Sequence, residues 1–565
     1  MASDSESDVS FEGFDENDFN KAAERYERQL EILSDIDVSD FDSDSDSEDD
    51  IPLAHFARNG AVNIDENEQL QWTDRLSDVN IYNFRGNPGP KTVLDADKKE
   101  IDFFFLLFDE HLFQILANET NKYAESKGPD PKWRNTTPAE MKAFLAFQII
   151  MGIVCVPNQD MYFAKDNLFR STGIREKISR DRLDKLSQYF HVADVSQNPA
   201  RGQPGHDKLA HVRPILEQIR QNLKSQYSPH CETSIDEAMI AFTGRLGFKQ
   251  YVPMKPTKRG IKVWMRADPH NGYVNDFQVY TGRVANQTEE GLGERVVKDL
   301  TRDIWGQNHH VYCDNLFTSV PLFAELLEHG TYACGTIRKH RKGLPQAVTS
   351  TKLKKQGELV QMQKGNMVAT AWHDKRTVTL LTTNSNPSQM TTVKRKQKDG
   401  TLRDVPCPQS IRNYTEHMNG VDRADQLWSN YGIGRKASKW WKYLFCFLID
   451  VAICSAYVLM KESTNHRLIS RRGREKQRTQ LDFRQKLAHQ LLGEYSHKRK
   501  RPLEEVRLAQ GMMHWPTELA KKRTCKQCAK QKIRREPKSG CEQCNVNLCI
   551  TCFKPYHLEH FPQLA

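Results

Sequence analysis

The chain of 565 residues is long enough for three to four domains of ordinary size. Its 26 Phe, 17 Tyr and 9 Trp exclude a wholly disordered protein, and its formal net charge of +9 is an average over unequal regions. Residues 1–50 carry 19 acidic and 3 basic side chains, so the remaining residues carry a net charge of +25. A body this basic predicts a polyanionic partner, and nucleic acid is the leading candidate.

The acidic N-terminal arm contains a Ser/Asp tract at residues 41–50 that has no apolar periodicity and is predicted to be disordered. We interpret the arm as a solvated tail; an autoinhibitory mimic of DNA and an acceptor of phosphate are the alternatives. The N-terminus has no basic region followed by an apolar one, so we expect neither secretion nor a membrane partner. Basic runs at 497–502 and 521–523 are typical of a nuclear address, and we expect a nuclear location.

Helical periodicity marks the next part of the chain. A stretch from Ile101 has apolar residues at helical spacing, and we expect ordered structure to begin there. A second helix is predicted from Thr137, because Pro138 suits the first helical position and apolar residues continue to Gly152. Shorter helices are expected to about Gln226, so this part is predicted to be an α-rich, basic layer.

Turns containing glycine and proline separate strand-like segments from Thr233 onwards. The predicted strands are 234–242, 261–267, 273–280, 309–313 and 331–337, with helices at 292–300 and from Ser319 to Gly330. The order β-β-β-α-β-α-β predicts a mixed sheet with helices packed against it. Residues 341–407 break this order with short strands at 359–363, 367–373 and 377–382, and we interpret them as a β-rich insertion.

A helical pattern returns over 413–431 and is followed by an apolar run at 443–459. This run has only 17 residues and Asp450 near its middle, so it predicts a buried helix rather than a membrane span. Residues 461–540 then hold 23 Lys and Arg against 8 Asp and Glu, which extends the basic surface towards the C-terminus.

Four aspartates stand out by their context. Asp236 lies inside an apolar strand, Asp314 ends a short strand, and Asp422 and Asp425 lie three apart on one face of a helix. Open α/β sheets place functional groups at the carboxyl ends of their strands. Strand-end aspartates also cap turns, and helical aspartate pairs are often solvated, so context alone leaves both interpretations open.

Phosphodiester chemistry gives a reason for such carboxylates to gather. Hydrolysis or transfer needs an activated oxygen nucleophile and neutralisation of the charge that develops on the phosphate. Two Mg²⁺ ions about 3.5–4 Å apart can meet both needs, one on the attacking and one on the leaving oxygen. Carboxylate oxygens are the hard ligands that Mg²⁺ prefers, and one carboxylate can bridge the pair.

The sequence around these aspartates resembles piggyBac-type DDE/D transposases over about residues 97–565. The motifs that carry the resemblance are SIDE at 234–237, YVPMKPTKRGIK at 251–262, CDNLFTS at 313–319 and NGVDRADQ at 419–426. Asp236, Asp314 and Asp422 match the family's metal-binding triad for two Mg²⁺ or Mn²⁺, and Asp425 matches its additional catalytic aspartate. Trp440 matches a tryptophan near the active site, with Trp441 beside it as an ambiguity of one position.

The resemblance implies a multidomain α/β protein with an RNase H-like catalytic core. The implied division is an acidic, largely disordered region (1–96), a helical dimerisation and DNA-binding domain (97–230 and 433–510), the catalytic domain (231–340 and 408–432), the β-rich insertion (341–407), a basic linker (511–522) and a Cys-rich zinc domain (523–565). The family excises DNA flanked by terminal inverted repeats through hairpin ends, inserts it at TTAA and acts as a dimer. No small-molecule substrate is implied.

Lysines and arginines near the predicted sites are candidate contacts to the DNA backbone, which would position the DNA without reading its sequence. Each is also a plausible solvated side chain. They are Lys249, Lys255, Lys258, Arg259, Lys262, Arg534 and Arg535.

A second constellation near the C-terminus has the spacing of zinc ligands. The pairs are Cys525 and Cys528, Cys541 and Cys544, Cys549 and Cys552, and His557 and His560. Eight ligands suffice for two tetrahedral Zn²⁺ sites, and the spacing favours a cross-brace in which pairs one and three share one ion and pairs two and four share the other. So short a segment cannot build a core alone, so metal would supply its folding energy. By resemblance, this module recognises terminal repeats.

Three hypotheses about function are compatible with these motifs. The leading one is a DNA transposase, and the strongest rival is a domesticated, catalytically inactive descendant that still binds DNA or chromatin. A chromatin reader or ligase adaptor centred on the zinc module is the third. The intact aspartates disfavour the second, and the ordered residues upstream disfavour the third.

Overall fold

The computed structural model describes residues 71–164, 171–253, 255, 257–282, 291–396, 401–469, 473–496 and 514–560. These residues fall into two compact units. The larger lies within Met1–Ser171 and Arg180–Tyr495, and the smaller combines Thr172–Ser179 with Ser496–Ala565. The acidic tract at 41–50 and the basic run at 497–502, to which we assigned disorder and a nuclear address, lie outside the described residues.

The stretch ahead of the first predicted helix is ordered, so the expectation that order begins near Ile101 is wrong. Thr73 pairs with Gln363 through two backbone hydrogen bonds of 2.9 and 2.8 Å, and Val79 is buried. Gln363 lies on the edge strand of a sheet, whose open backbone groups accept a further segment. The polar composition of residues 71–99 concealed this order because the stabilising partners are distant in sequence.

Helices dominate the part of the chain ahead of the sheet, as predicted. They are α1 (Glu100–Phe105), α2 (Glu110–Ser126), α3 (Pro138–Ile153), α4 (Thr172–Lys177, in the smaller unit), α5 (Arg180–Tyr189) and α6 (Arg213–Gln226), with a 3₁₀ helix at Gln159–Phe163 and a two-stranded pair, β1 (Gly89–Pro90) and β2 (Tyr227–Ser228). Thr137 caps α3 by accepting a hydrogen bond from the Glu140 amide, and Pro138 stands in its first turn. The predicted start of this helix is therefore confirmed.

A nine-stranded sheet forms the centre of the larger unit. Its strands are β3 (Glu232–Ala241), β4 (Gln250–Tyr251), β5 (Arg259–Ala267), β6 (Val274–Val279), β7 (His310–Cys313), β8 (Tyr332–Thr336), β9 (Leu359–Lys364), β10 (Met367–His373) and β11 (Thr377–Thr382). The helices between them are α7 (Leu292–Thr301), a 3₁₀ turn at Arg302–Ile304, α8 (Val320–Glu328) and α9 (Gln346–Ser350). The spatial order is β4-β5-β3-β7-β8-β11-β10-β9. In addition, β6 pairs with β5 on the side that faces away from β3. Apart from the two-residue β4, the predicted succession β-β-β-α-β-α-β is confirmed.

The strands of the predicted insertion continue this same sheet. β11 pairs antiparallel with β8, so that Leu381 lies opposite Gly335. One buried cluster contains Phe323 of α8 together with Ala369 and Leu381 of the insertion. The chain order suggested an interruption, but backbone pairing makes these strands an extension of the core. A further hairpin, β12 (Met390–Lys396) and β13 (Leu402–Pro408), was not predicted because its strands are rich in Lys and Arg.

Helices return after the hairpin and complete the larger unit. They are α10 (Gln409–His417), α11 (Gly420–Ser429), α12 (Trp440–Glu462) and α13 (Gln480–Leu492), with a 3₁₀ turn at Thr464–His466 and a short pair of strands, β14 (Leu468–Ile469) and β15 (Glu475–Lys476).

The helix α12 is buried, as predicted, and is the one described helix whose length and composition would let it cross a membrane. In its most apolar window, 83% of the residues are buried inside the fold. Its Asp450 carboxylate accepts hydrogen bonds from the Arg484 guanidinium at 3.0 Å and from the Ile433 amide at 2.9 Å. This internal ion pair explains how a carboxylate is accommodated in the middle of an apolar helix.

The smaller unit contains the cysteine-rich segment. Its elements beyond α4 are β16 (Pro516–Glu518), α14 (Lys526–Lys530), β17 (Ser539–Cys541), β18 (Val546–Asn547) and α15 (Ile550–His560), with a three-stranded sheet in the order β16-β17-β18. The stretch 511–522, which we expected to be a linker, therefore supplies a strand. The core of the segment consists largely of its cysteines with Val546, Leu548 and Tyr556, too few apolar groups to stabilise it alone.

Candidate active site and metal-binding module

Strand pairing brings Asp236 and Asp314 together. β3 and β7 are parallel, and Ile235 is the register partner of Cys313. Asp236 and Asp314 are the residues that follow this pair along the two strands. They therefore lie side by side, and we call this part of the sheet the carboxylate edge. The Asp314 carboxylate also accepts a hydrogen bond from the Leu316 amide, which fixes the turn that carries it.

Asp422 and Asp425 reach this edge because α11 packs closely on β3. The approach is permitted by Gly420 at the start of the helix. A β-carbon at this position would lie 2.3 Å from the Ser234 hydroxyl oxygen and 2.9 Å from the Ala267 carbonyl oxygen. Glycine is therefore needed here for space, and it sets the distance between the helical pair of carboxylates and the strand.

Lys255 lies among these carboxylates. Its ammonium donates to the Asp236 carboxylate at 3.2 Å and to the Glu237 carbonyl at 3.0 Å. Burial alone would lower the pKa of Lys255, but the carboxylates of Asp236, Glu237, Asp422 and Asp425 outweigh it and raise that pKa. We predicted Lys255 as a phosphate contact; its place in the centre of the carboxylate cluster could not be read from sequence.

The carboxylates repel one another despite this lysine. Burial raises the pKa of Asp314 and that of Asp422, and the charge of Asp236 raises both further, while Lys255 opposes the shift. Burial raises the pKa of Asp425 well above its usual value, with Asp422 and Asp236 adding to the rise and Lys255 opposing it. The four predicted aspartates thus share one electrostatic environment that is short of positive charge.

The donor set fits divalent cations of the magnesium class. Every side-chain donor at this edge is a carboxylate oxygen, which Mg²⁺ and Mn²⁺ prefer. Cations bound there would offset the mutual repulsion of these carboxylates, which Lys255 offsets in part. Cations there would be held by Asp236, Asp314 and Asp422, with Asp425 beside them.

The two adjacent tryptophans have different surroundings. Trp440, the first residue of α12, is half-buried and its ring packs edge-on to Phe248 at 5.4 Å between centroids. Trp441 is buried and stacks on His211 and Phe190. Trp441 is therefore a core residue, and Trp440 is the more accessible tryptophan, packed against Phe248 of the loop that follows β3.

The basic residues predicted to contact DNA divide into two groups. Lys258, just ahead of β5, and Arg259, its first residue, are exposed, and the Arg259 guanidinium lies 5.3 Å from the ring centre of the exposed Tyr251. The second group makes these contacts: Lys249 donates to the Gly244 carbonyl at 2.9 Å, Lys262 lies 5.9 Å from the Trp264 ring centre, and Arg534, beside the exposed Arg535, pairs with Glu536 at 3.0 Å.

In the smaller unit, four cysteines form one close ligand group. The sulfurs of Cys525, Cys528, Cys549 and Cys552 all lie within 4.8 Å of one another. The Cys528 sulfur is 3.5 Å from that of Cys552 and 3.8 Å from that of Cys549. The structure thus brings together pairs one and three of the predicted cross-brace, in a set of four thiols suited to tetrahedral Zn²⁺.

The second ligand group differs from the predicted set by one residue. His514 joins Cys541, Cys544 and His557, with its Nδ1 3.3 Å from the Cys544 sulfur. His560 lies outside this group, because its ring stacks on Tyr556 and its Nδ1 contacts the Tyr556 carbonyl at 2.8 Å.

Strand pairing explains how His514 reaches the group. Pro516 of β16 lies opposite Cys541 of β17, so the residues just before β16 stand beside the second Cys pair. The His557 Nδ1 contacts the Phe553 carbonyl at 2.8 Å, which leaves Nε2 towards Cys544 at 3.5 Å. In the sequence, His514 is distinguished only by its position shortly before the first Cys pair. The HxxH spacing of His557 and His560 favoured that pair as ligands instead.

Comparisons with known proteins agree with the motifs. A model of the family described as Transposase IS4 matches residues 99–457. Human PiggyBac transposable element-derived protein 3 is 28% identical over 473 residues, which is 80% of this chain and 75% of that protein. Human PiggyBac transposable element-derived protein 5 is 26% identical over 443 residues, 75% of this chain and 81% of that protein.

A solved structure shares the fold. It is the cryo-EM structure of a piggyBac transposase synaptic complex with hairpin DNA, which superposes with a TM-score of 0.63 at 24% sequence identity. The match covers 83% of this chain and all of that one.

Proposed function

The chain belongs to the Transposase IS4 family as a piggyBac-type member, and from this premise we propose that it cuts and joins DNA by two-metal phosphoryl transfer. The observation that carries the proposal is that Asp236, Asp314, Asp422 and Asp425 lie close enough to interact with one another and with the Lys255 ammonium. Their placement on β3, after β7 and on α11 supports the RNase H-like core implied by resemblance.

The residues of this chain have distinct tasks in that reaction. Two Mg²⁺ or Mn²⁺ ions would supply activation of the oxygen nucleophile and neutralisation of the leaving oxygen. Asp236, Asp314 and Asp422 would hold the ions, and strand register together with the close approach of α11 positions the three carboxylates. Lys255 keeps the carboxylates together before DNA and metal arrive, and its charge is then available to a phosphate oxygen.

The DNA partner is supported by charge and by fold. The exposed pair Lys258 and Arg259 and the nearby Tyr251 ring offer charge and stacking beside the carboxylate edge. The solved structure that shares the fold is that of a piggyBac transposase synaptic complex with hairpin DNA. We extend to this chain, as parts of the same proposal, terminal inverted repeats, hairpin-ended excision, TTAA target sites, a homodimer and a nuclear location.

The cysteine-rich segment is proposed to hold two structural Zn²⁺ ions and to recognise terminal repeats. The first ion is assigned to the four cysteines and the second to His514, Cys541, Cys544 and His557. Borderline-soft thiolate and imidazole ligands in these numbers suit zinc, and the small apolar core implies that metal stabilises the fold.

A nicking assay tests the enzymatic proposal. Purified protein with Mg²⁺ and labelled DNA carrying candidate terminal repeats should nick the strand at the repeat end. Asp314→Ala should abolish nicking while retaining DNA binding, and Asp404→Ala, which removes an exposed aspartate from β13, should leave it unchanged. Sequencing the joined products checks the TTAA target and the hairpin intermediate.

A second function is favoured by one specific observation. The relatives are human proteins named as derived from a transposable element, so a descendant that binds DNA without cutting it is the alternative. Tight binding to DNA with no nicking under any divalent cation would select this alternative and overturn the enzymatic proposal.

A further inference from the structure

A third group of metal-binding side chains lies in the larger unit, apart from the aspartates and from the cysteine-rich segment. Cys231, Glu232 and His310 each offer a ligand atom, and these atoms all lie within 4.8 Å of one another. All three side chains are half-buried. We propose that Cys231, Glu232 and His310 bind a Zn²⁺ ion that joins the first residues of β3 to those of β7.

Strand register creates this group. Glu232 is the partner of His310 in the parallel pair of β3 and β7, and the His310 amide donates to the Cys231 carbonyl at 2.8 Å. The backbone therefore fixes the three Cα positions independently of any ion. The ligand atoms of a tetrahedral zinc site lie roughly 3.4–3.8 Å apart. Displacements of about 1 Å in the three side chains would therefore close the site.

The chemistry of the three ligands selects zinc over magnesium. A thiol, an imidazole and a carboxylate form a mixed set that borderline-soft cations accept, whereas Mg²⁺ requires oxygen ligands. The Cys231 thiol donates a long hydrogen bond of 3.9 Å to the Asn308 carbonyl, a weak interaction that binding of an ion would replace. Three protein ligands leave a fourth position for water.

Neighbouring histidines support the ligands without being required as ligands. The His270 Nε2 lies 3.0 Å from a Glu232 carboxylate oxygen, which orients the carboxylate as outer partners do in metal sites. His417, the last residue of α10, lies 5.9 Å from the His270 ring between centroids. Two further imidazoles therefore lie near the proposed site, one of them in direct contact with a ligand.

The site lies upstream of the catalytic carboxylates on the same strands. Asp236 follows Glu232 by four residues and Asp314 follows His310 by four, which corresponds to roughly 13 Å along parallel strands. An ion here would lock the relative register of β3 and β7 and so the separation of Asp236 and Asp314. Its role is positional, and it does not depend on the chain being an active transposase.

Zinc content of the full-length protein tests the proposal. The wild-type chain, saturated with Zn²⁺ and desalted, is compared by elemental analysis with Cys231→Ser and His310→Ala. Each variant should hold one Zn²⁺ per chain fewer than the wild type. The control His373→Ala removes a half-buried histidine from β10 of the same sheet and should retain the wild-type content.

The difference between variants is independent of the ions in the cysteine-rich segment, which all four proteins retain. Equal zinc content in the wild type and in Cys231→Ser would overturn the proposal. This substitution exchanges one sulfur for oxygen, so circular dichroism should show a folded chain even if His310→Ala misfolds. The result is separate from the nicking assay, because DNA cleavage is not needed for the measurement.

Discussion

Substituting Asp425 by asparagine should stabilise the protein and abolish the proposed DNA cleavage. Asp425 is half-buried, and burial together with Asp422 and Asp236 holds its pKa well above the usual value. Two like charges about 6 Å apart on one helical face repel by about 3 kcal/mol at an effective dielectric constant of about 20. Attraction to Lys255 is lost in the variant and offsets part of this, so we expect a gain of about 1 kcal/mol.

The pH dependence of this gain follows from the direction of the pKa shift. Below the ordinary aspartate pKa of about 3.9, the carboxyl is protonated in both the folded and the unfolded chain, and the variant has no advantage. As the pH rises, the Asp425 carboxyl ionises in the unfolded chain before it ionises in the folded one. The free energy of unfolding of the wild type therefore falls until the pH exceeds the raised pKa of Asp425. The full difference is therefore expected once the pH exceeds the raised pKa of Asp425.

Urea unfolding at pH 7 in magnesium-free buffer measures the effect. Asp404→Asn is the matched control, since it removes an equal charge from an exposed position on β13 and should change stability little. Added Mg²⁺ should reduce the difference in stability between the variant and the wild type, because cations bind better to the cluster that retains all its carboxylates. At a Mg²⁺ concentration of ten times the dissociation constant, binding stabilises the folded chain by about 1.4 kcal/mol. A variant that is less stable than wild type without Mg²⁺ would refute the reasoning that repulsion dominates at Asp425.

Three further predictions test other parts of the structure. Gly420→Ala places a β-carbon against a serine hydroxyl of β3 and a backbone carbonyl, and should cost about 1–3 kcal/mol in urea unfolding; an unchanged midpoint contradicts the close approach. Arg484→Met leaves the Asp450 carboxylate buried without its partner and should cost about 3–5 kcal/mol by the same measurement, whereas replacing both partners with apolar residues should cost much less. His514→Ala should remove one Zn²⁺ per chain in elemental analysis while His560→Ala should not, and the reverse result would restore the predicted HxxH ligand pair.

Much of the fold could be predicted because its signals are local. The strands at 234–242 and 261–267 and the helix that begins at Pro138 have a periodicity, a proline or a cap that acts within a few residues. The ordered stretch around Thr73 has no such signal, because its polar residues pair with a strand that is distant in sequence. The hairpin β12–β13 has none either, because its strands carry charged residues and are stabilised by pairing with each other. The attachment of the insertion to β8 likewise depends on backbone pairing, which leaves no periodic trace.

The sequence by itself determined the chemistry of this protein: four aspartates in recognisable motifs and cysteine pairs at zinc spacing, since residue type and short-range spacing decide which ligands are available. Only the tertiary structure decided how these ligands are grouped. It placed Lys255 among the carboxylates, and it brought His514 rather than His560 to the second Cys pair. It also set Glu232 opposite His310. Each of these results depends on strand register and on long-range packing, because a residue's neighbours across a sheet are fixed by pairing between segments that are far apart along the chain.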